Sequence, residues 1–178
     1  MKKIYYIKFL LLTALTGVVS CGPSPKKVVA QTWLNTNNVT TYYSPRFFNE
    51  LMERKTTDNI TVYEDDTATK GTSVAYVQQY VIATIDENLK KVETLSAKGD
   101  NKELIHASLE VFRYAKGIFE TEYLDIAAMI DDERPSEDIM TAIDNLFGKY
   151  DGEMQARFDR LDSYAIPYAE KHDIPIKK

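Results

Sequence analysis

The chain has 178 residues, 44% hydrophobic and 28% charged, enough for one domain with a sizeable core. Its single cysteine excludes an internal disulfide framework and any cysteine-based zinc site. Net charge is −5 at pH 7 and no basic run exceeds two residues, so the clustered Lys and Arg that phosphate contacts require are missing and no nucleic-acid partner is expected.

Residues 1–20 read as a signal peptide. Met1-Lys2-Lys3 is a basic start, and Ile4 to Val19 is mostly apolar with Lys8 as its only charge. That run is too short for a comfortable membrane span, which needs about 20 apolar residues. It closes on Val18-Val19-Ser20-Cys21-Gly22, which resembles a bacterial lipobox: an aliphatic residue, a permissive one, a small one, then the cysteine. The resemblance implies cleavage before Cys21 and lipidation, palmitate included, at its thiol and new amino group. The competing reading is an ordinary secretory signal with a chance cysteine. Without residues 1–20 the chain carries 19 basic against 27 acidic residues, a net −8. Residues 21–30 then read as lipidated cysteine and tether, extended by Pro23 and Pro25, with Lys26 and Lys27 suited to anionic headgroups. The absence of an aspartate after Cys21 points to the outer rather than the inner membrane of a Gram-negative cell. Whether the body faces the periplasm or the cell surface stays open.

Residues 31–71 read as loop-rich with one short helix. Ser44 and Pro45 suit an N-cap and first helical position, and Phe47, Phe48, Leu51 and Met52 form an apolar face that runs out near Arg54. Ile60 to Tyr63 can form a brief extended piece, and the surrounding Thr, Asp and Gly read as exposed loop. Asn38-Val39-Thr40 and Asn59-Ile60-Thr61 fit the eukaryotic N-glycan pattern, which a bacterial host would not use. Asp66-Thr67-Ala68 resembles the short O-glycosylation acceptor of some Bacteroidota, which makes Thr67 a candidate modification site. Glu64, Asp65 and Asp66 lack the alternating oxygen ligands and turn glycine of an EF-hand, and read as a solvated acidic loop.

Three long helical patterns follow over residues 72–172. Val74, Val77, Val81, Ile85, Leu89, Val92 and Leu95 repeat every three or four residues. Gly99 suits the left-handed position that ends a helix. The second stripe runs from Asp100 to Asp131, through Leu104, Ile105, Val111, Phe112, Ala115, Phe119, Tyr123, Ile126 and Ile130. Asp100 and Glu103 are spaced as a capping box. The third starts near Pro135 or Ser136 and continues through Ile139, Ile143, Leu146, Tyr150, Met154, Phe158, Leu161, Ala165 and Tyr168. Gly148 and Gly152 weaken it, and Pro167 is expected to bend or end it near residues 163–166. Residues 173–178 read as a frayed tail. The fold class is therefore all-α: an antiparallel up-down-up bundle of three long helices, with the helix near residues 45–54 making it four-helix-like.

Chemistry is sparse. Glu103 and His106 have the Glu-x-x-His spacing of ferritin-like iron sites, but a second such motif is missing, since His172 sits in Glu170-Lys171-His172. The carboxylate pairs Glu120/Glu122, Asp131/Asp132 and Asp159/Asp162 lie on helices rich in charge, where a solvated face is the simpler reading. Of the twelve tyrosines, Tyr123, Tyr150 and Tyr168 fall on the stripes with their hydroxyls reaching the edge. Tyr76, Tyr80 and Tyr114 fall beside the stripes, where exposed aromatics suit protein or glycan contact and a wide core rim is the plainer alternative.

Three stretches are similar to an uncharacterised family of small bacterial surface lipoproteins of spirochaetes and Bacteroidota. They are Leu109 to Lys116 with Phe119 to Tyr123, Ser136 to Ile139, and Phe158 with Tyr168 to His172. The resemblance implies a lipid anchor and an all-helical body, and it carries over no catalytic residue. The expectation is a lipid-anchored envelope protein, non-enzymatic, without a cofactor, that binds the membrane through Cys21 and a protein or glycan partner through its body. The alternatives are a metal- or small-ligand-binding ferritin-like bundle and an envelope hydrolase using a carboxylate pair.

Overall fold

The computed structural model describes residues 22–176, and within them the chain is mostly helical with one small two-stranded sheet. The expected signal peptide and the lipidation at Cys21 lie outside the described residues.

The chain is ordered into helices earlier than its composition suggests. Helix α1 (Pro25–Thr32) starts on Ser24, whose hydroxyl accepts the Lys27 N–H at 3.3 Å, with Pro25 in the first turn where its missing N–H costs nothing. A 3₁₀ turn (Leu34–Thr36) leads into α2 (Asn37–Tyr42), and α3 (Pro45–Thr56) follows. Val28, Val29, Val39, Phe47, Phe48 and Leu51 are buried. The expected extended tether over residues 21–30 and the expected loop with a single short helix over 31–71 are thus corrected: α1 begins inside the first, and the 3₁₀ turn and α2 add helix to the second, each too brief for its apolar spacing to stand out. Ser44 precedes α3 in extended conformation, but its side chain does not cap.

The expected extended piece is strand β1 (Thr61–Glu64), paired antiparallel with β2 (Thr67–Lys70) so that Glu64 faces Thr67. Asp65 and Asp66 form the two-residue turn with φ of 47° and 61°, the double positive φ that matches strand twist. Gly71 is required by close approach, since a Cβ there would lie 2.5 Å from Val62 Cγ1. Gln79 holds the hairpin down, accepting from the Tyr63 N–H and donating to its carbonyl, both at 2.7 Å.

A continuous rod then spans residues 73–93: α4 (Ser73–Tyr76), a π-turn segment (Val77–Ile82) and α5 (Ala83–Glu93). Its first turn is capped twice. Thr72 Oγ1 accepts the Ala75 N–H at 3.1 Å, and the Asp131 carboxylate accepts those of Ser73 and Val74 at 2.8 and 3.0 Å. A second rod comprises α6 (Lys102–Ile118), a π-turn segment (Phe119–Tyr123) and α7 (Leu124–Asp131). Helix α8 (Ser136–Lys171) is 36 residues long, or roughly 54 Å at 1.5 Å per residue.

Two expectations on these rods are corrected. Asp100 and Glu103 form no capping box; a 3₁₀ turn (Gly99–Asn101) opens the rod, and Asn101 Oδ1 accepts the Lys98 N–H at 2.7 Å instead. Gly99 does adopt φ +57°. Pro167 also does not end helix α8, which continues to Lys171; Pro167 and Ser163, whose carbonyl loses its helical partner, are both exposed, so that oxygen is open to solvent. Nor is the tail frayed as far as Ile176. Ile174 N–H reaches the Ala169 carbonyl and Asp173 N–H the Glu170 carbonyl, a Schellman cap with Asp173 at φ +52°.

Helix α5 packs on α6, α4 on α7, and both α6 and α7 on α8; α1 contacts α5, α6 and α8, while α3 contacts α7 and α8. The two π-turn segments meet, and there Tyr123 is wholly buried against Phe47, Phe48 and Phe119, with centroids 4.5–5.5 Å away. Its hydroxyl donates to the Tyr42 carbonyl at 2.9 Å.

Candidate functional site

The concave surface of interest runs along one face of α8, where the first three helices lean against it. Two hollows share the residues Thr40, Gln155 and Phe158 and so form one groove. The smaller hollow, about 350 Å³, lies between the α2–α3 junction and the middle of α8. Tyr43 forms its wall, ring edge against Phe147 at 5.0 Å and hydroxyl donating to Asp151 Oδ1 at 2.9 Å. Burial, then the hydrogen bond to Asp151, pushes the Tyr43 hydroxyl far above its ordinary value, so it stays protonated and donates.

The larger hollow, about 710 Å³, is mostly apolar and lies between α1 with its following turn and the end of α8. Val29, Trp33, Leu34 and Phe158 line it, and the segment after α8 closes it with Ile174 and Ile176. Trp33 is fixed by its indole N–H, which donates to Asp162 Oδ1 at 2.7 Å. The volume falls within the roughly 300–1,000 Å³ of ligand sites, and mostly apolar walls with a few fixed polar groups are their usual lining.

Beside the groove, α8 carries a tyrosine and cation row. Tyr150 donates to Glu122 Oε1 at 2.7 Å, and Lys149 reaches the same oxygen at 3.0 Å. The hydrogen bond from Tyr150, then that from Lys149, holds the Glu122 carboxyl below the usual range. Arg157 lies over the Tyr114 ring at 3.9 Å.

The residues singled out in the sequence are scattered. Thr67 is exposed at the start of β2, its triplet lying on the tip of the hairpin. Glu103 and His106 are exposed, and among the described residues no group of His, Cys, Asp and Glu could hold a metal ion. The carboxylate pairs part company: Glu120 meets Lys116, Glu122 meets Tyr150, Asp131 caps α4, Asp159 accepts from Gln155 and Asp162 accepts from Trp33. Tyr76 and Tyr80 are half-buried and lie against each other at 4.6 Å. Hydrogen bonds from Lys91, Lys171 and Tyr150 hold the Glu87, Asp100 and Glu122 carboxyls low, the direction opposite to that of a general acid.

Sequence reasoning missed Trp33 and Leu34, and the bonds Trp33–Asp162 and Tyr43–Asp151. One signal was available: Ser24-Pro25 repeats the start signal of Ser44-Pro45, and Val28, Val29, Thr32 and Trp33 follow it at helical spacing. Compared with protein-family models, curated proteins and solved structures, the chain matches none.

Proposed function

We propose that this is a lipid-anchored protein of the bacterial envelope, outer membrane rather than inner, and a non-enzymatic helical module that holds a protein or glycan partner against its body. The anchor reading is carried by one observation: the sole cysteine closes a lipobox-like segment and lies three residues before Ser24, where the folded body begins. It agrees with the resemblance to small surface lipoproteins. The architecture we infer is an antiparallel up-down-up arrangement of the rods 73–93, 102–131 and 136–171, with residues 25–56 as a fourth side. Supporting it, α4 meets α7 while α5 meets α6, and the pairs Glu122–Lys149, Glu110–Arg160 and Asp100–Lys171 run in opposite chain directions along the second rod and α8.

The binding rather than catalytic reading draws on how the side chains are distributed. Val81, Ile85, Leu104, Val111, Phe112, Ile143 and Leu161 occupy the space between helices and are at most 1% exposed. Ion pairs such as Arg113–Glu93 and Arg160–Glu110 lie at the periphery, and the smaller hollow on α8 offers the aromatic walls of Tyr43 and Phe147 with a hydroxyl fixed on Asp151, which suits reversible contact. Replacement Cys21→Ser tests the anchor: the body is expected to move from the membrane fraction to the soluble one. Retention of Cys21→Ser in washed membranes would overturn it.

A further inference from the structure

The large hollow lies beside the end of α1, one eight-residue helix, or roughly 12 Å, from Ser24. A link of three residues from Cys21 to Ser24 spans at most roughly 10 Å, so a lipid on Cys21 keeps the start of α1 close to the bilayer. From there α1 carries Val29 and Trp33 into the wall of the hollow, and Leu34 follows at 53% exposure. Leu34 is one of the few large apolar side chains among the described residues left this open. The opposite wall is Ile174-Pro175-Ile176, after which the sequence continues Lys177-Lys178. Lys26 and Lys27 are exposed on the first turn of α1. Lys26 and Lys27 therefore open the helix that leads to one wall of an apolar hollow, in a chain that is otherwise acidic, a pattern that suits an anionic bilayer. Trp33 has the matching character: an apolar ring with its N–H already satisfied by Asp162, which also occupies the one carboxylate lining the hollow.

We propose that this face lies flat on an anionic lipid bilayer, with Trp33 and Leu34 in the headgroup boundary and the hollow filled by acyl-chain ends. The tether rests on the anchored reading above, but the face does not require the cell to have lipidated the protein. The chain offers its own probes, because Cys21 is its only thiol and Trp33 its only tryptophan. Among the described residues the buried core starts at Val28, so a chain beginning at Cys21 retains that core.

The experiment couples that chain through Cys21 to maleimide-headgroup lipids in phosphatidylcholine–phosphatidylglycerol vesicles. Trp33 emission is expected to shift to the blue on coupling. Its quenching by acrylamide should fall several-fold, and lipids brominated high in the acyl chain should quench it. Leu34→Glu, a change at an exposed position, should couple equally and lose the bromine quenching. Trp33 unchanged by coupling and untouched by bromolipid would overturn the proposal. So would Trp33 already shielded in lipid-free solution at a dimer's mass, which would give this face to a second copy. Since the link is chemical, a failure here leaves the cellular anchor standing, and an unmodified Cys21 in cells leaves this result standing.

Discussion

Three helices end on an acidic residue in the left-handed region: Asp58 at φ 53° after α3, Glu133 at 53° after α7 and Asp173 at 52° after α8. Each closes a Schellman cap, with Asn59 reaching Arg54, Arg134 reaching Met129 and Ile174 reaching Ala169. The hydrogen bonds require that conformation, yet a side chain there is strained and a negative charge opposes the dipole of the helix it follows. Glu133→Gly is therefore expected to stabilise by about 0.5–1 kcal/mol, read as a raised urea midpoint; an unchanged or lower midpoint would contradict it. Asp100 makes the second case at this scale. Its carboxyl is held below the usual value by hydrogen bonds from Lys171 and then His172, joining the start of α6 to the end of α8. A carboxyl lowered in the folded state contributes fully above its unfolded pKa near 3.9, and the contribution disappears as pH falls through the folded value. Urea unfolding of the native chain and Asp100→Asn should differ at about pH 6 and converge toward about pH 2; a constant gap would refute the linkage.

The long elements were legible because their apolar period persists. Val81, Ile85 and Val92, or Leu104, Val111 and Ala115, recur often enough for tertiary context to matter little. Helices α1 and α2, of eight and six residues, hold two turns or fewer, so their apolar spacing is too brief to stand out beyond the Ser24-Pro25 start signal. The π-turn segments were hidden for another reason: they change the backbone register by a residue without changing the kind of residue, so Tyr123 still reads as a stripe position. Asp131 reads as one of a charged pair, and only the fold turns it into the cap of a helix distant in sequence. Asp131→Ala should cost about 1–2 kcal/mol, as loss of a good N-cap does, with amide exchange quickening first at Ser73 and Val74. The hairpin is held by less, since Val62 is the only buried residue of its two strands. Gly71→Ala forces a methyl onto that valine and is expected to cost about 1–3 kcal/mol. Chemical shifts of residues 60–71 should move while those of α8 stay.

At the scale of the whole molecule, the groove was illegible because its walls come from opposite ends of the chain. Trp33 and Ile176 share a hollow only once α1 has settled against α8, and no local pattern records that. The proposed anchor is the reverse case, read from consecutive residues with no fold required. Between them lies the packed interior, where Phe47, Phe48, Phe119 and Tyr123 gather at the meeting of the π-turn segments. Truncating Phe48, which is fully buried, to alanine should cost about 3–5 kcal/mol, measured by denaturant unfolding. The account of a membrane-held module is tested most directly by the intact mass of the N-terminal peptide taken from the native envelope. It predicts that residues 1–20 are gone and that Cys21 carries a thioether-linked diacylglycerol, with or without a further acyl chain on its amino group. A free Cys21 thiol, or a chain that still begins at Met1, would contradict it.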